Sequence, residues 1–215
     1  SADCAIGFEA AKMVLRGIRG FYEDYAEHVQ HGRCFAKLSQ PVPCVSLCPA
    51  HVDVPGYVSL IHEGRYGDAV QLIRKDNPFP AACGLICEHP CELRCRRTMV
   101  DKAINIRGLK RYAVEHEGEI PAPKIMDKTG KKIAIVGGGP SGLSAAYYLS
   151  IMGHDVMVYE QRKQLGGMLR YVIPAYRLPR EILDHEIDGL KKAGFQVKPD
   201  VSIGHDISLK DLRKQ

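Results

Sequence analysis

Lys132-Ile133-Ala134-Ile135-Val136-Gly137-Gly138-Gly139-Pro140-Ser141-Gly142 decides how the C-terminal half of this chain folds. After Lys132 the run is apolar and rich in β-branched residues, which is how a strand buried on both faces in a parallel sheet reads. Glycines interrupt it, and Leu143 to Met152 resumes at helical spacing. Asp155 to Tyr159 is a second strand, ending at Glu160. Strand, G-x-G-x-x-G, helix, strand and acid, in that order, form the fingerprint of a dinucleotide site. Gly137 permits the tight turn, Gly139 lets backbone approach a pyrophosphate, and Gly142 lets helix and strand pack closely. Pro140 and Ser141 open the helix, whose free amides and positive dipole end face the phosphates. Glu160 follows Gly142 by 18 residues, near the separation of about 20 at which a carboxylate reaches ribose hydroxyls. A carboxylate there also disfavours a 2′-phosphate. The plain alternative is a tight strand-to-helix turn with no ligand, and the fingerprint alone does not separate FAD from NAD.

Upstream, Pro121, Pro123 and Gly130 mark a linker, and the chain before it reads as helical with no convincing strand. Phe8, Ala11, Val14, Leu15, Ile18, Tyr22 and Tyr25 recur at three- and four-residue intervals, so an amphipathic helix is expected from Phe8 to about His31 despite Gly17 and Gly20. Its stripe either packs on its own domain or belongs to a neighbour. Gln40 to Pro49 reads as a loop, Val54 to His62 and Tyr66 to Lys75 as helices, and Asn77-Pro78-Phe79-Pro80 as the stop of the second. Ile104 to Glu115 reads as a further helix. The division expected is 1–33 as a helical extension, 34–125 as a cysteine-rich helical domain and 126–215 as an α/β domain.

The helical half holds all eight cysteines: Cys4, Cys34, Cys44, Cys48, Cys83, Cys87, Cys91 and Cys95. Six lie in two tight groups, Cys44-x3-Cys48-Pro49 and Cys83-x3-Cys87-x3-Cys91-x3-Cys95, so metal binding outranks a disulfide framework. Thiolates hold iron-sulfur clusters, and a terminal Cys-Pro fits a ferredoxin style of ligand loop. Residues four apart on a helix have Cβ atoms about 6 Å apart, close enough to serve one compact cluster. Pro90 must distort such a helix and let the later cysteines wrap. A four-cysteine zinc site and simple buried thiols are the alternatives. Cys4 reads as an inert thiol, and the nine histidines form no metal-binding pattern.

With 215 residues, 45% of them hydrophobic, the chain has room for one large or two small domains with a real core. A net charge of +5 comes from scattered Lys and Arg, without a basic run long enough for a nucleic-acid arm. Those charges form either a solvated surface or a docking face for an acidic electron carrier. No run of 18 apolar residues and no signal peptide is present, so a cytoplasmic protein without membrane contact is expected.

The glycine run with Ala145-Ala146, Gly166-Gly167-Met168-Leu169-Arg170-Tyr171, and Ile173-Pro174-Ala175-Tyr176-Arg177-Leu178-Pro179 together resemble the small, or β, subunit of NADPH-dependent glutamate synthase. The same module forms the N-terminal part of dihydropyrimidine dehydrogenase and occurs in NADH-dependent ferredoxin:NADP oxidoreductases. The resemblance, over about Cys44 to Lys214, implies an α-helical iron-sulfur domain followed by a Rossmann-like FAD domain into which an NAD(P)H domain is inserted. It implies FAD at Gly137, Gly139, Pro140, Ser141, Gly142, Glu160, Gly167, Met168 and Arg177. Ile203 matches a backbone contact near the adenine, although a core role serves equally. In the family the cysteine positions serve two [4Fe–4S] clusters. Here that implies one complete set, Cys48, Cys87, Cys91 and Cys95, with Cys44, Cys83 and Cys34 left for a second. A Gln or Glu ligand of the family falls at Lys110, and an ammonium has no lone pair to give iron.

The implied activity passes electrons from NAD(P)H through FAD to the clusters and on to an electron-acceptor subunit or domain, of glutamate synthase large-subunit or ferredoxin type. No side chain is needed as a general acid, base or nucleophile. A non-catalytic electron-transfer module or a zinc-stabilised assembly module is the competing class. With Ser1 in place of Met and a single dinucleotide fingerprint, a fragment without its own NAD(P)H oxidation is expected.

Overall fold

In the computed structural model, which describes residues 5–20, 22–31 and 42–214, the chain divides into two units, Ser1–Val42 and Pro43–Gln215. The first holds α1 (Ala5–Gly20) and α2 (Tyr22–His31). One helix was expected here. The two described helices are separated by residue 21, which lies outside the described residues. Within this unit Met13, Val14, Leu15, Tyr22, Tyr25 and Val29 are exposed. Cys4 and Cys34 lie outside the described residues.

The second unit begins with α3 (Pro43–Ser46), a single turn inside the expected loop, then α4 (Val54–His62) and α5 (Tyr66–Arg74). Asp53 caps α4, its side chain accepting the Gly56 amide at 3.0 Å. The cysteine segment is not one distorted helix. It forms α6 (Pro80–Ile86) and α7 (Pro90–Leu93), followed by a 3-10 turn over Arg96–Met99. His89 adopts a left-handed φ of 42°, and Pro90 then starts a new helix where its missing amide costs nothing. α8 (Ile106–Glu115) is capped by Asn105, which accepts from Gly108.

β1 (Lys132–Val136), α9 (Pro140–Ile151) and β2 (Asp155–Tyr159) follow where the fingerprint predicts them. After them come α10 (Met168–Tyr171), α11 (Arg180–Lys191), β3 (Gln196–Lys198) and α12 (Leu209–Leu212). The sheet is parallel in the order β1-β2-β3, with Lys132 opposite Asp155, Val136 opposite Tyr159, and Tyr159 opposite Lys198. That is a helical domain followed by a Rossmann-like one.

Two apolar clusters organise this unit. Val52, Tyr57, Val70, Ile73, Cys91 and Ala113 centre the helical part. Leu143, Val158, Leu178, Leu183 and Leu190 centre the α/β part, and Phe79 and Ala82 from the start of α6 join them. Among the described residues no helix is long and apolar enough to cross a membrane.

Candidate functional site

The glycine loop is held from two sides. Gly137 has a φ of 104°, a left-handed conformation natural to glycine, and its amide donates to the Tyr159 carbonyl at 2.8 Å. A Cβ on Gly142 would collide with the Gly137 carbonyl, so the start of α9 lies directly on the loop. Pro140 occupies the first helical position and no side chain caps this end. The first-turn amides of α9 therefore have no intrahelical acceptor, as an anion requires.

Glu160 lies 6% exposed at the end of β2. Its Oε2 accepts the Gly138 amide at 2.6 Å and its Oε1 accepts the Arg162 amide at 2.9 Å. Each carboxylate oxygen retains a second lone pair, so the side chain can hold the loop and still accept from a sugar hydroxyl. Gly166 and Gly167 lie against the loop: Gly166 donates to the Gly138 carbonyl at 2.8 Å, and a Cβ on Gly167 would come within 2.7 Å of Gly139 Cα. Backbone of the downstream pair thus forms a second wall beside Gly139 and Pro140. Met168 stands exposed next to it. Arg177 is exposed, its backbone amide donating to the Pro174 carbonyl at 2.9 Å, and Ile203 makes an isolated bridge with Ile207. The loop, the bare helix end, the carboxylate and the backbone wall suit an adenine dinucleotide.

Two arginines that sequence reasoning passed over support that wall. Arg170 is 7% exposed; its Nε donates to the Leu165 carbonyl at 2.6 Å and its guanidinium pairs with Asp184. Arg180 donates to the carbonyls of Leu169 at 3.0 Å and Ile173 at 2.8 Å. Both cap loop carbonyls around Gly166-Gly167. The burial of Arg170 and the partial burial of Arg180 are tertiary properties that no local pattern announces.

The six described cysteines carry free thiols, with Cys91 and Cys95 buried. Cys44, Cys48 and Cys91 lie near Tyr57, which is fully buried and donates its hydroxyl proton to the Ile106 carbonyl at 3.3 Å. Burial pushes the Tyr57 phenol up, and Cys91, Cys48 and Cys44 beside it push further. Burial, then the Glu92 carboxylate, pushes Cys91 up to about 11, with Cys87 and Cys48 adding and Lys110 opposing. Burial also raises Cys83, which has Asn77, Lys110 and Cys87 as neighbours, and raises Cys44, which faces Cys95. Cys44 and Cys95 also act on one another.

Among the described residues no three Cys, His, Asp or Glu side chains converge on a point that would hold a single ion. A four-iron cube spreads its thiolates wider than one ion does, and six thiols on α3, α6, α7 and the flanking turns match that donor chemistry. Lys110, 8% exposed beside them, is a buried cation that calls for an anionic neighbour.

The cysteine segment is fastened to the α/β part by Glu186 of α11. This carboxylate is 1% exposed, and its oxygens accept the Ala81 amide at 2.5 Å and the Ala82 amide at 3.0 Å. These are the orphan amides at the start of α6, whose own N-cap residue, Phe79, offers no side-chain acceptor. Burial pushes the Glu186 carboxyl up to about 7 against the pull of both amides and of Arg74, with Glu117 adding to the rise.

Comparison with known proteins follows the same two halves. Residues 14–120 match the family described as dihydropyrimidine dehydrogenase domain II, 4Fe-4S cluster, and residues 135–196 match the NAD(P)-binding Rossmann-like domain. The chain is 37% identical to the NADPH-Fe(3+) oxidoreductase subunit beta of Geobacter sulfurreducens, over 100% of this chain and 34% of that protein. It is 37% identical to the NADP(+)-dependent formate dehydrogenase subunit beta of Moorella thermoacetica, over 80% of this chain and 28% of the relative. Against the glutamate synthase [NADPH] small chain of Mycobacterium tuberculosis the identity is 31%, over 93% of this chain and 42% of the relative. The chain therefore spans well under half the length of these relatives. The chain thus carries a 4Fe-4S domain of the dihydropyrimidine dehydrogenase type followed by a Rossmann-like dinucleotide domain.

Proposed function

We propose that this chain is the iron-sulfur and flavin-entry portion of an NAD(P)H oxidoreductase that delivers electrons to a partner subunit or domain. The observation that carries the reading is the joining of the two sites within one unit: the helix that bears Cys83 starts on a carboxylate from the dinucleotide half. FAD, when bound, would accept a hydride and release single electrons, and the clusters would pass them singly.

The chain's own residues have simpler tasks. Gly137, Gly139, Pro140, Ser141 and Gly142 present backbone to the pyrophosphate. Glu160 accepts from the ribose, Gly167 and Met168 flank the cofactor, and Arg177 is free to meet it from the surface. The thiols are proposed ligands in a grouping that follows their neighbours, with Cys48, Cys83, Cys87 and Cys91 as one set and Cys44 and Cys95 contributing to another.

Anaerobic purification followed by iron, acid-labile sulfide, zinc and flavin analysis tests this. Iron and sulfide in equal amounts, with bound FAD, support the proposal. Stoichiometric zinc without sulfide would replace it with an assembly module, and bound NAD in place of FAD would reassign the dinucleotide site.

A further inference from the structure

Lys110 lies in the helical core with no carboxylate paired to it among the described residues; the contact its ammonium makes is the Tyr57 ring, 5.9 Å away at the centroid. Its position follows from the packing of α8 on α6. A Cβ on Gly84 would come within 3.1 Å of Arg111 Cα, so the two helices touch backbone to backbone there. Lys110 precedes Arg111 and Cys83 precedes Gly84, which sets the ammonium beside the cysteine segment. Its charge acts on Cys83 of α6 and on Cys91 of α7 alike.

A buried ammonium without an anion is costly. Neutral thiols do not offset it. Thiolates holding an iron-sulfur cube do, because the assembly is net anionic and gains one further negative charge on reduction. We propose that Lys110 is the buried counter-charge of a cluster held by Cys48, Cys83, Cys87 and Cys91, a positioning residue and not a ligand. The proposal rests on the ligand reading given above. A fixed positive charge favours the more negative, reduced cluster, and so raises its midpoint potential.

The test uses the full chain, reconstituted anaerobically with iron and sulfide, as wild type and as Lys110→Met, Lys110→Arg and Cys83→Ser. Iron and sulfide content, the electron paramagnetic resonance spectrum after dithionite reduction, and a potentiometric titration are read for each. The signal missing from Cys83→Ser identifies the cluster to follow. Lys110→Met keeps the apolar stem and removes the charge; it is expected to hold wild-type iron and to titrate at a lower potential, while Lys110→Arg stays near wild type. A loaded Met variant at the wild-type potential overturns the proposal. If Met does not load, a loaded Arg variant at the wild-type potential supports it and one shifted downward overturns it. Wild-type protein without iron and sulfide sinks the ligand reading itself, whereas iron present with an unmoved potential sinks the role of Lys110 alone.

Discussion

Replacing Glu186 by Gln removes a buried charge while keeping one of its two acceptor oxygens. The wild-type carboxyl titrates near 4.5 when exposed and is pushed up to about 7 in the folded chain. An acid whose folded value is raised contributes stability fully below the unfolded value and loses it as pH climbs through the folded one. The loss here spans roughly pH 4.5 to 7 and totals about 3 kcal/mol, at about 1.4 kcal/mol per unit. Gln does not titrate. Its amide NH2 also faces a backbone N–H at Ala81 or Ala82, which costs about 1–3 kcal/mol at every pH.

The variant is therefore the less stable protein near about pH 5, and the gap narrows or reverses by roughly 2–3 kcal/mol by about pH 8. Urea unfolding followed by far-ultraviolet circular dichroism at both values measures it, and titrations shared by the two proteins cancel in the difference. In melting temperature the change amounts to roughly 4–12 °C for a chain of this size. A stability difference that is the same at both pH values refutes the reasoning.

Gly142→Ala drives a methyl into the Gly137 carbonyl; flavin retention should fall by at least about tenfold, equivalent to about 1.4 kcal/mol, and equilibrium dialysis with FAD would detect no change if the contact yields. Glu160→Ala frees the Gly138 and Arg162 amides, and a cost of about 3–6 kcal/mol, one charged bond each, should appear in urea denaturation together with weaker FAD binding. Tyr57→Phe leaves the Ile106 carbonyl without its side-chain donor and should cost about 1 kcal/mol, with iron content unchanged because the hydroxyl is not a ligand. Cys91→Ser should abolish one cluster's signal while leaving FAD stoichiometry intact, and loss of both would show the two halves to be less separable than their separate cores imply.

The parts of this fold that were legible in the sequence are those set by neighbours along the chain. β1, β2 and α4 stand at the expected residues, because a β-branched run before a glycine turn, and Asp53 ahead of an apolar helix, carry their boundaries locally. The cysteine segment was harder. A rhythm of four suggested one bent helix, but His89 with its left-handed φ and Pro90 divide it, and the four cysteines fall on two short helices and the turns that follow them. Arg170, Lys110 and Glu186 were not read as fastenings. Each is a charged residue on an otherwise ordinary helix face, and what makes it matter is burial by residues far away in sequence; Glu186 meets Ala81 across 105 positions.

β1 has the composition of a strand from the middle of a sheet, yet in the order β1-β2-β3 it stands at the edge. Edge strands normally carry lysines, prolines or bulges that discourage strangers from pairing with them. Past Lys132, β1 carries Ile, Ala, Ile and Val, with Val136 59% exposed. Nothing in that run repels an incoming strand. That margin is a row of apolar side chains and unpaired backbone groups on which a further strand can align.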